Sequence, residues 1–317
     1  MALHVKAALL YILIPCSVLP NAVVIIIFLK IQPRLQLNDI LLVSLALSDC
    51  LRGLIGYIPD VSMIYGIESD STTDPLTCRI TGFTISFLAY VSIAHMIVIP
   101  LDRMINIAYP SILRQLQDNC RRLGVILIVW TYGIIFAIIP FLGASSYKRD
   151  SNICSLDWRD HSFSGKFYLM SLFVFCYLLP IVTISVSFHI IQRKLQQMVH
   201  TAQHSFGTQH LSVMQNLKAQ KGHIKMILVM ITIFFAAWTP YAVVSFMMML
   251  DIEIATTLVW VSAFVGKCTT IVNPLVYCFL YGKYRDRLRG IFRKRRSTVN
   301  PEINTTSSRT RPAASVS

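Results

Sequence analysis

Five stretches of the chain run for more than twenty residues without an Asp, Glu, Lys or Arg: Ala7–Leu29, Ile80–Leu101, Leu123–Ser145, Phe167–Ile191 and Met226–Leu250. Two more are nearly as bare. Leu41–Ile67 is interrupted by Asp49, Arg52 and Asp60, and Ile254–Gly282 by Lys267. A helix needs ~20 apolar residues to cross a bilayer, so the pattern predicts an all-α membrane protein. Its seven spans fall at about 7–30, 38–67, 78–108, 122–146, 163–194, 217–250 and 254–282. Beyond Tyr281, bases alternate with Tyr284, Leu288, Ile291 and Phe292. This predicts a short amphipathic helix over 283–294 lying on the membrane surface. Residues 1–296 then form one domain, and 297–317, rich in Ser and Thr, form a disordered tail.

Composition agrees with a lipid setting: 55% of the 317 residues are hydrophobic and 14% charged, against ~25% charged in a soluble protein. The net charge of +14 is informative mainly through its placement. Bases gather after spans one, three, five and seven, with eight from Lys283 to Arg296. The opposite loops carry Glu68, Asp70, Asp74, Asp150, Asp157, Asp160, Asp251 and Glu253. The positive-inside rule places the N-terminus outside and the C-terminus in the cytoplasm of a multi-pass membrane protein. The basic charge therefore reads as topology and contact with anionic lipid, not nucleic-acid binding. Six residues precede the first span with no small-residue cleavage site after it, so that helix is expected to be an uncleaved anchor.

Of eight cysteines, Cys78 and Cys154 fall on the outer side, where oxidising conditions predict a disulfide between them. Prolines 59, 100, 140, 180, 240 and 274 stand inside spans and are expected to kink their helices. His95 and His189 read as hydrogen-bonded packing residues. No phosphate loop, metal cluster or hydrolytic triad is present, so the chain does not read as an enzyme.

One ordered string of landmarks runs through the spans: Asn21; LALSD with Asp49; Asp102-Arg103-Met104; Trp130; Pro180; Phe234 and WTP with Trp238; and NPLVY with Asn273, Pro274 and Tyr277. Together with seven spans and the outer cysteine pair, this string resembles the rhodopsin-like class A G-protein-coupled receptors over about residues 7–294. Lys267 narrows the likeness to opsins, whose retinal-bearing lysine precedes the NPxxY asparagine by six residues, as Lys267 precedes Asn273. Two helical turns put the amine ~9 Å above that motif. An ammonium there costs ~2.5–3.5 kcal/mol or more, whereas a buried neutral amine is a nucleophile toward an aldehyde. The resemblance thus implies retinal, 11-cis or all-trans, bound covalently at Lys267 as a Schiff base. Trp238 and Tyr241 match ring-contacting positions, and CSLDW (Cys154–Trp158) resembles the retinal-plug segment.

A protonated Schiff base in low dielectric needs an anion. The positions familiar opsins use hold Thr81 and Lys148 here, neither able to serve. Asp60 is the candidate counterion, with chloride or a solvated helix-end carboxylate as alternatives. Helical rise puts Asp60 ~16 Å above Asp49, against ~9 Å for Lys267 above Asn273, a difference to be closed by the lysine arm, with or without a water. An acid at this place resembles the cnidarian-type branch, which favours a stimulatory heterotrimeric G protein.

Arg103 is the family's G-protein-facing arginine, and Asp102 is expected to hold its guanidinium at rest. The span-six acid that usually assists is Gln220 here, and the span-five tyrosine is Phe188. Asn21, Asp49, Ser92 and Asn273 match a buried polar cluster that binds sodium in relatives. Arg52, one turn above Asp49, is expected to pair with it and exclude the cation. Tail hydroxyls from Ser297 to Thr310 offer sites for a receptor kinase and hence arrestin. The reading is a light-sensing receptor; the alternatives are a retinal photoisomerase without signalling, or a chemosensory receptor that has lost retinal.

Overall fold

The computed structural model describes residues 3–31, 35–65, 75–111, 118–150, 153–203 and 208–282, with 284, 285 and 288. Seven apolar helices dominate it. They are α1 (Leu3–Ile31), α2 (Leu37–Leu51, continued by Arg52–Gly56 and Tyr57–Tyr65), α3 (Pro75–Ala108) and α4 (Asp118–Ile138). After these come α5 (Phe163–Leu172, Phe173–Leu178 and Leu179–Gln203), α6 (Thr208–Met249) and α7 (Thr256–Lys267 and Thr269–Leu280). The tail and most of the amphipathic helix predicted over 283–294 lie outside the described residues. Tyr284, which is described, is buried against Phe28 and Tyr277.

The side-chain distribution is that of a bundle in lipid. Tyr11, Ile12, Leu29, Leu123, Ile128, Phe167 and Phe279 face outward. Ser17, Asn21, Ser48, Asp49, Arg52, Asp60, Ser92, His95 and Asn273 are buried between helices. In lipid the apolar contrast that drives a soluble core is absent, so close packing of small residues takes over. Gly133 of α4 shows this: a Cβ there would stand 2.4 Å from Val91 Cγ2 and 3.0 Å from the Phe87 carbonyl of α3. Any larger residue would push the two helices apart.

The prolines act less simply than kinks. Pro59 and Pro180 lack an N–H, and their rings crowd the carbonyls four residues back, at Ile55 and Cys176. Both carbonyls fall inside wide π-helical turns, Arg52–Gly56 and Phe173–Leu178, which take up the lost bond by carrying an extra residue. Pro140 lies in a 3₁₀ turn, Ile139–Leu142, that ends α4 at Gly143 with φ of 90°. Pro274 orphans the Thr270 carbonyl; Asn21 Nδ2 of α1 donates to it at 2.8 Å and to the Ser17 carbonyl at 2.7 Å.

The pattern gave no hint of a two-stranded antiparallel hairpin between α4 and α5, β1 (Tyr147–Asp150) and β2 (Ile153–Leu156). The predicted disulfide joins Cys78 of α3 to Cys154 of β2. Tyr147 Oη donates to the Ala137 carbonyl at 2.9 Å, fixing the hairpin across the same end of the bundle. Beyond it, Ser162 caps α5 by accepting from the Gly165 N–H at 3.0 Å.

Candidate functional site

Lys267 is the last residue of the first segment of α7, and the helix breaks at Cys268 before resuming at Thr269. The break leaves the Lys267 carbonyl to side chains: Thr270 Oγ1 donates to it at 3.0 Å and Tyr57 Oη at 3.2 Å. The ammonium turns into the bundle, where only 7% of the residue stays exposed. There it forms an ion pair with Asp60, which is fully buried. The contact is direct, with no bridging group. The π turn explains why straight-helix arithmetic left a gap, since one extra residue rotates everything above it by roughly 100° and shortens the rise. Tyr57, not singled out from sequence, also faces the ammonium with its ring at 5.0 Å. Carboxylate and ring together compensate a charge otherwise untenable at this depth.

Trp238 lies against α7 beside the lysine. A Cβ on Gly266 would meet its Cε3 at 2.8 Å, so glycine is what lets the indole approach. Trp238 Nε1 donates to Thr269 Oγ1 at 3.3 Å. Tyr241 follows one turn on; its hydroxyl accepts from Trp158 Nε1 at 3.0 Å. These groups line a cavity of about 320 Å³, within the ~300–1,000 Å³ of ligand pockets. Its walls include Tyr90 and Ile93 of α3, Phe173 and Tyr177 of α5, Phe234 of α6 and Trp260 and Ala263 of α7. Residues Cys154–Arg159 cover it, so CSLDW is the roof, held by the disulfide. Thr81 is buried. Lys148 is engaged by Asp157 at 2.6 Å, whose carboxylate holds the Lys148 ammonium above its ordinary pKa.

A buried amine, its carboxylate and a roofed aromatic cavity fit an aldehyde-bearing polyene such as retinal. Lys267 would carry it, Asp60 would balance the charge, and Trp238 and Tyr241 would bound the chain.

Below this cavity two expectations are corrected. Arg52 does not pair with Asp49. It lies at the start of the π turn and reaches across to α3, donating to the Leu88 carbonyl and to Ser92 Oγ at 2.6 Å. Asp49 accepts from Asn273 Nδ2 at 2.8 Å, and Ser92 Oγ lies 3.3 Å from Ser48 Oγ. At the far end of α3, the Asp102 carboxylate hydrogen-bonds and ion-pairs with Arg121 of α4, and it acts on Arg103 only through its charge, without the expected hydrogen bond. Arg103 Nε donates to Asn38 Oδ1 at 3.1 Å. A partner on another helix with better approach geometry displaces the neighbour in sequence. Tyr277 is fully buried, its hydroxyl 3.6 Å from Met230 Sδ. Gln220 bonds Asn216 within α6, and Phe188 packs in the central core.

Seven lipid-faced helices around a buried polar axis, with a roofed ligand-sized cavity near one end, define a seven-helix membrane receptor. The chain belongs to the rhodopsin family of such receptors: the family described as "7 transmembrane receptor (rhodopsin family)" matches residues 20–277. Opsins are among its relatives. It is 29% identical over 311 residues to Opsin-VA of Rutilus rutilus, covering 96% of this chain and 78% of that one. It is 26% identical over 293 residues to the visual pigment-like receptor peropsin of Mus musculus, covering 91% and 84%. The fold matches squid rhodopsin with a TM-score of 0.82 at 20% identity, covering 96% of this chain and 89% of that one.

Proposed function

We propose that this opsin-family receptor senses light through retinal carried covalently on Lys267 and passes the signal to a heterotrimeric G protein. The observation that carries the reading is the buried Lys267–Asp60 pair at the wall of a roofed aromatic cavity. Retinal supplies absorption of visible light and a light-driven change of shape. The chain's own residues do the rest. Asp60 keeps a positive charge at Lys267 Nζ tolerable, and Tyr57 adds its ring face. Trp238, wedged between the cavity and Gly266, is the group a change of ligand shape must push. The β-hairpin roof excludes water from the nitrogen.

In this reading the hairpin end faces outward and the Arg103 end faces the cytoplasm, following the basic loops. Arg103, with Asn273, Pro274 and Tyr277, forms the element that meets the G protein when α6 moves. The cnidarian-type position of Asp60 favours the stimulatory class, and the tail hydroxyls favour shut-off by a kinase and arrestin.

A second reading, photoisomerisation without signalling, is favoured by Gln220 and Phe188, which give Arg103 no partner on α6 or α5. The third, a retinal-free receptor, is favoured by the closed Lys267–Asp60 pair itself. Purified protein mixed with retinal in the dark is expected to show a visible band that light alters and that Lys267→Ala abolishes. Light-dependent nucleotide exchange on an added G protein separates the signalling reading from the isomerase. Absence of any retinal-dependent band overturns both.

A further inference from the structure

Gln220 Nε2 turns back to Asn216 Oδ1 at 3.3 Å, so the tie between α3 and α6 must lie elsewhere. Asn38, buried in the first turn of α2, accepts from Arg103 Nε through Oδ1 at 3.1 Å. Its Nδ2 stands 3.1 Å from His223 Nε2 of α6. The His223 ring stacks on Tyr281, 4.9 Å apart at 11°, and Tyr281 Oη donates to Asp39 Oδ1 at 2.8 Å. One chain of contacts thus links α3, α2, α6 and the end of α7.

The chemistry of the chain is directional. A guanidinium only donates, so Asn38 must offer it the carbonyl oxygen and turn its N–H to the histidine. His223 Nε2 must then be the acceptor, with the ring neutral and its proton on Nδ1. We infer that Asn38 and His223 are the positioning residues that hold Arg103 at rest and close α6 onto α3, and that this closure requires an unprotonated His223. The inference rests on the receptor reading above, but its test needs neither light nor retinal.

An imidazolium donates from both nitrogens, so protonation sets N–H against N–H at Asn38. Flipping the amide only moves the clash to Arg103. The closed arrangement therefore favours neutral His223. Closure is favoured at higher pH and weakened on acidification. Of the groups linked to the ring, Asp39 (through Tyr281) and the Tyr281 ring favour the cation, and Arg103 (through Asn38) opposes it. One lost hydrogen bond shifts the closed-to-open ratio roughly five- to tenfold.

The experiment uses full-length, retinal-free protein in nanodiscs, spin-labelled at exposed Cys120 and at Lys221→Cys on α6. The α4–α6 distance distribution is read from pH 8 to pH 5.5. The wild type is expected to gain a longer-distance population on acidification. His223→Gln, which accepts but does not titrate, stays closed throughout. Asn38→Asp, which accepts from both neighbours, reverses the trend and stays closed in acid. An invariant wild-type distribution overturns the inference, as does a response that survives His223→Gln.

Discussion

Tyr57 holds Lys267 at two points: its hydroxyl donates to the lysine carbonyl at 3.2 Å and its ring faces the ammonium at 5.0 Å. The two roles separate by mutation. Tyr57→Phe keeps the ring and loses one hydrogen bond, and Thr270 Oγ1 still serves the carbonyl. The expected loss is about 1 kcal/mol, a melting shift of ~2–4 °C, with little change in any retinal-dependent spectrum. Tyr57→Leu removes the ring as well and is expected to move the absorption band. Thermal melts and dark spectra of the two variants check this, and identical behaviour would dismiss the ring.

Asp60→Asn leaves the buried lysine without its anion. A lone buried charge of this kind costs ~3–5 kcal/mol, which the amine escapes by losing its proton. Retinal-reconstituted Asp60→Asn is therefore expected to absorb in the ultraviolet at neutral pH, with Asp60→Glu staying visible. A dark spectrum of Asp60→Asn that matches the wild type removes Asp60 from the counterion role.

The long apolar runs, five of them free of charge, made the seven helices legible, because length and apolarity are local properties of a segment. Lys267, Asp60 and the two outer cysteines stood out for a related reason: each is chemically conspicuous where it lies. The tertiary choices were not legible. Straight-helix geometry put Arg52 one turn above Asp49, and its backbone continues that helix, but the guanidinium reaches across to Leu88 and Ser92 of α3 instead. Asp102 and Arg103 look paired in sequence, yet Arg121 and Asn38 arrive from other helices. Tyr57 and His223 carry no motif, and only the fold brings them to Lys267 and Asn38.

Gly266→Ala tests the seat of Trp238. The added methyl meets the indole at 2.8–3.0 Å on three ring carbons, too close to tolerate without moving the ring. Overpacking of this kind costs ~1–3 kcal/mol. Because the ring can only back into the cavity, retinal uptake is expected to slow and its yield to fall. The Thr269 hydrogen bond is lost with it. Regeneration kinetics at fixed retinal concentration measure the effect, and wild-type kinetics would show that Trp238 does not bound the cavity.

Cys154→Ser frees the roof. The bond ties β2 to α3 across 76 residues of chain, and losing such a crosslink costs ~2–5 kcal/mol. The hairpin keeps Tyr147 in place through the Ala137 carbonyl, so the bundle is expected to fold. Water then reaches the Lys267 nitrogen more readily. Hydroxylamine should bleach a retinal-loaded Cys154→Ser protein in the dark far faster than the wild type. Equal bleaching rates would mean that the roof stays closed without its tether.

Asn21→Leu probes how the bundle tolerates Pro274. Proline removes the helical partner of the Thr270 carbonyl, and Asn21 Nδ2 supplies the substitute from α1. Leucine has similar bulk and no donor, so the carbonyl is left buried and unpaired, at a cost of about 1–3 kcal/mol. Asn21→Leu with Pro274→Ala should recover much of that stability, because alanine restores the N–H that bonds Thr270 within its own helix. The double variant would still lack the proline that loosens α7, and is expected to couple poorly to a G protein despite its stability. Melting temperatures of the two singles and the double close this cycle. Strictly additive losses would show that Asn21 and Pro274 do not act on the same carbonyl.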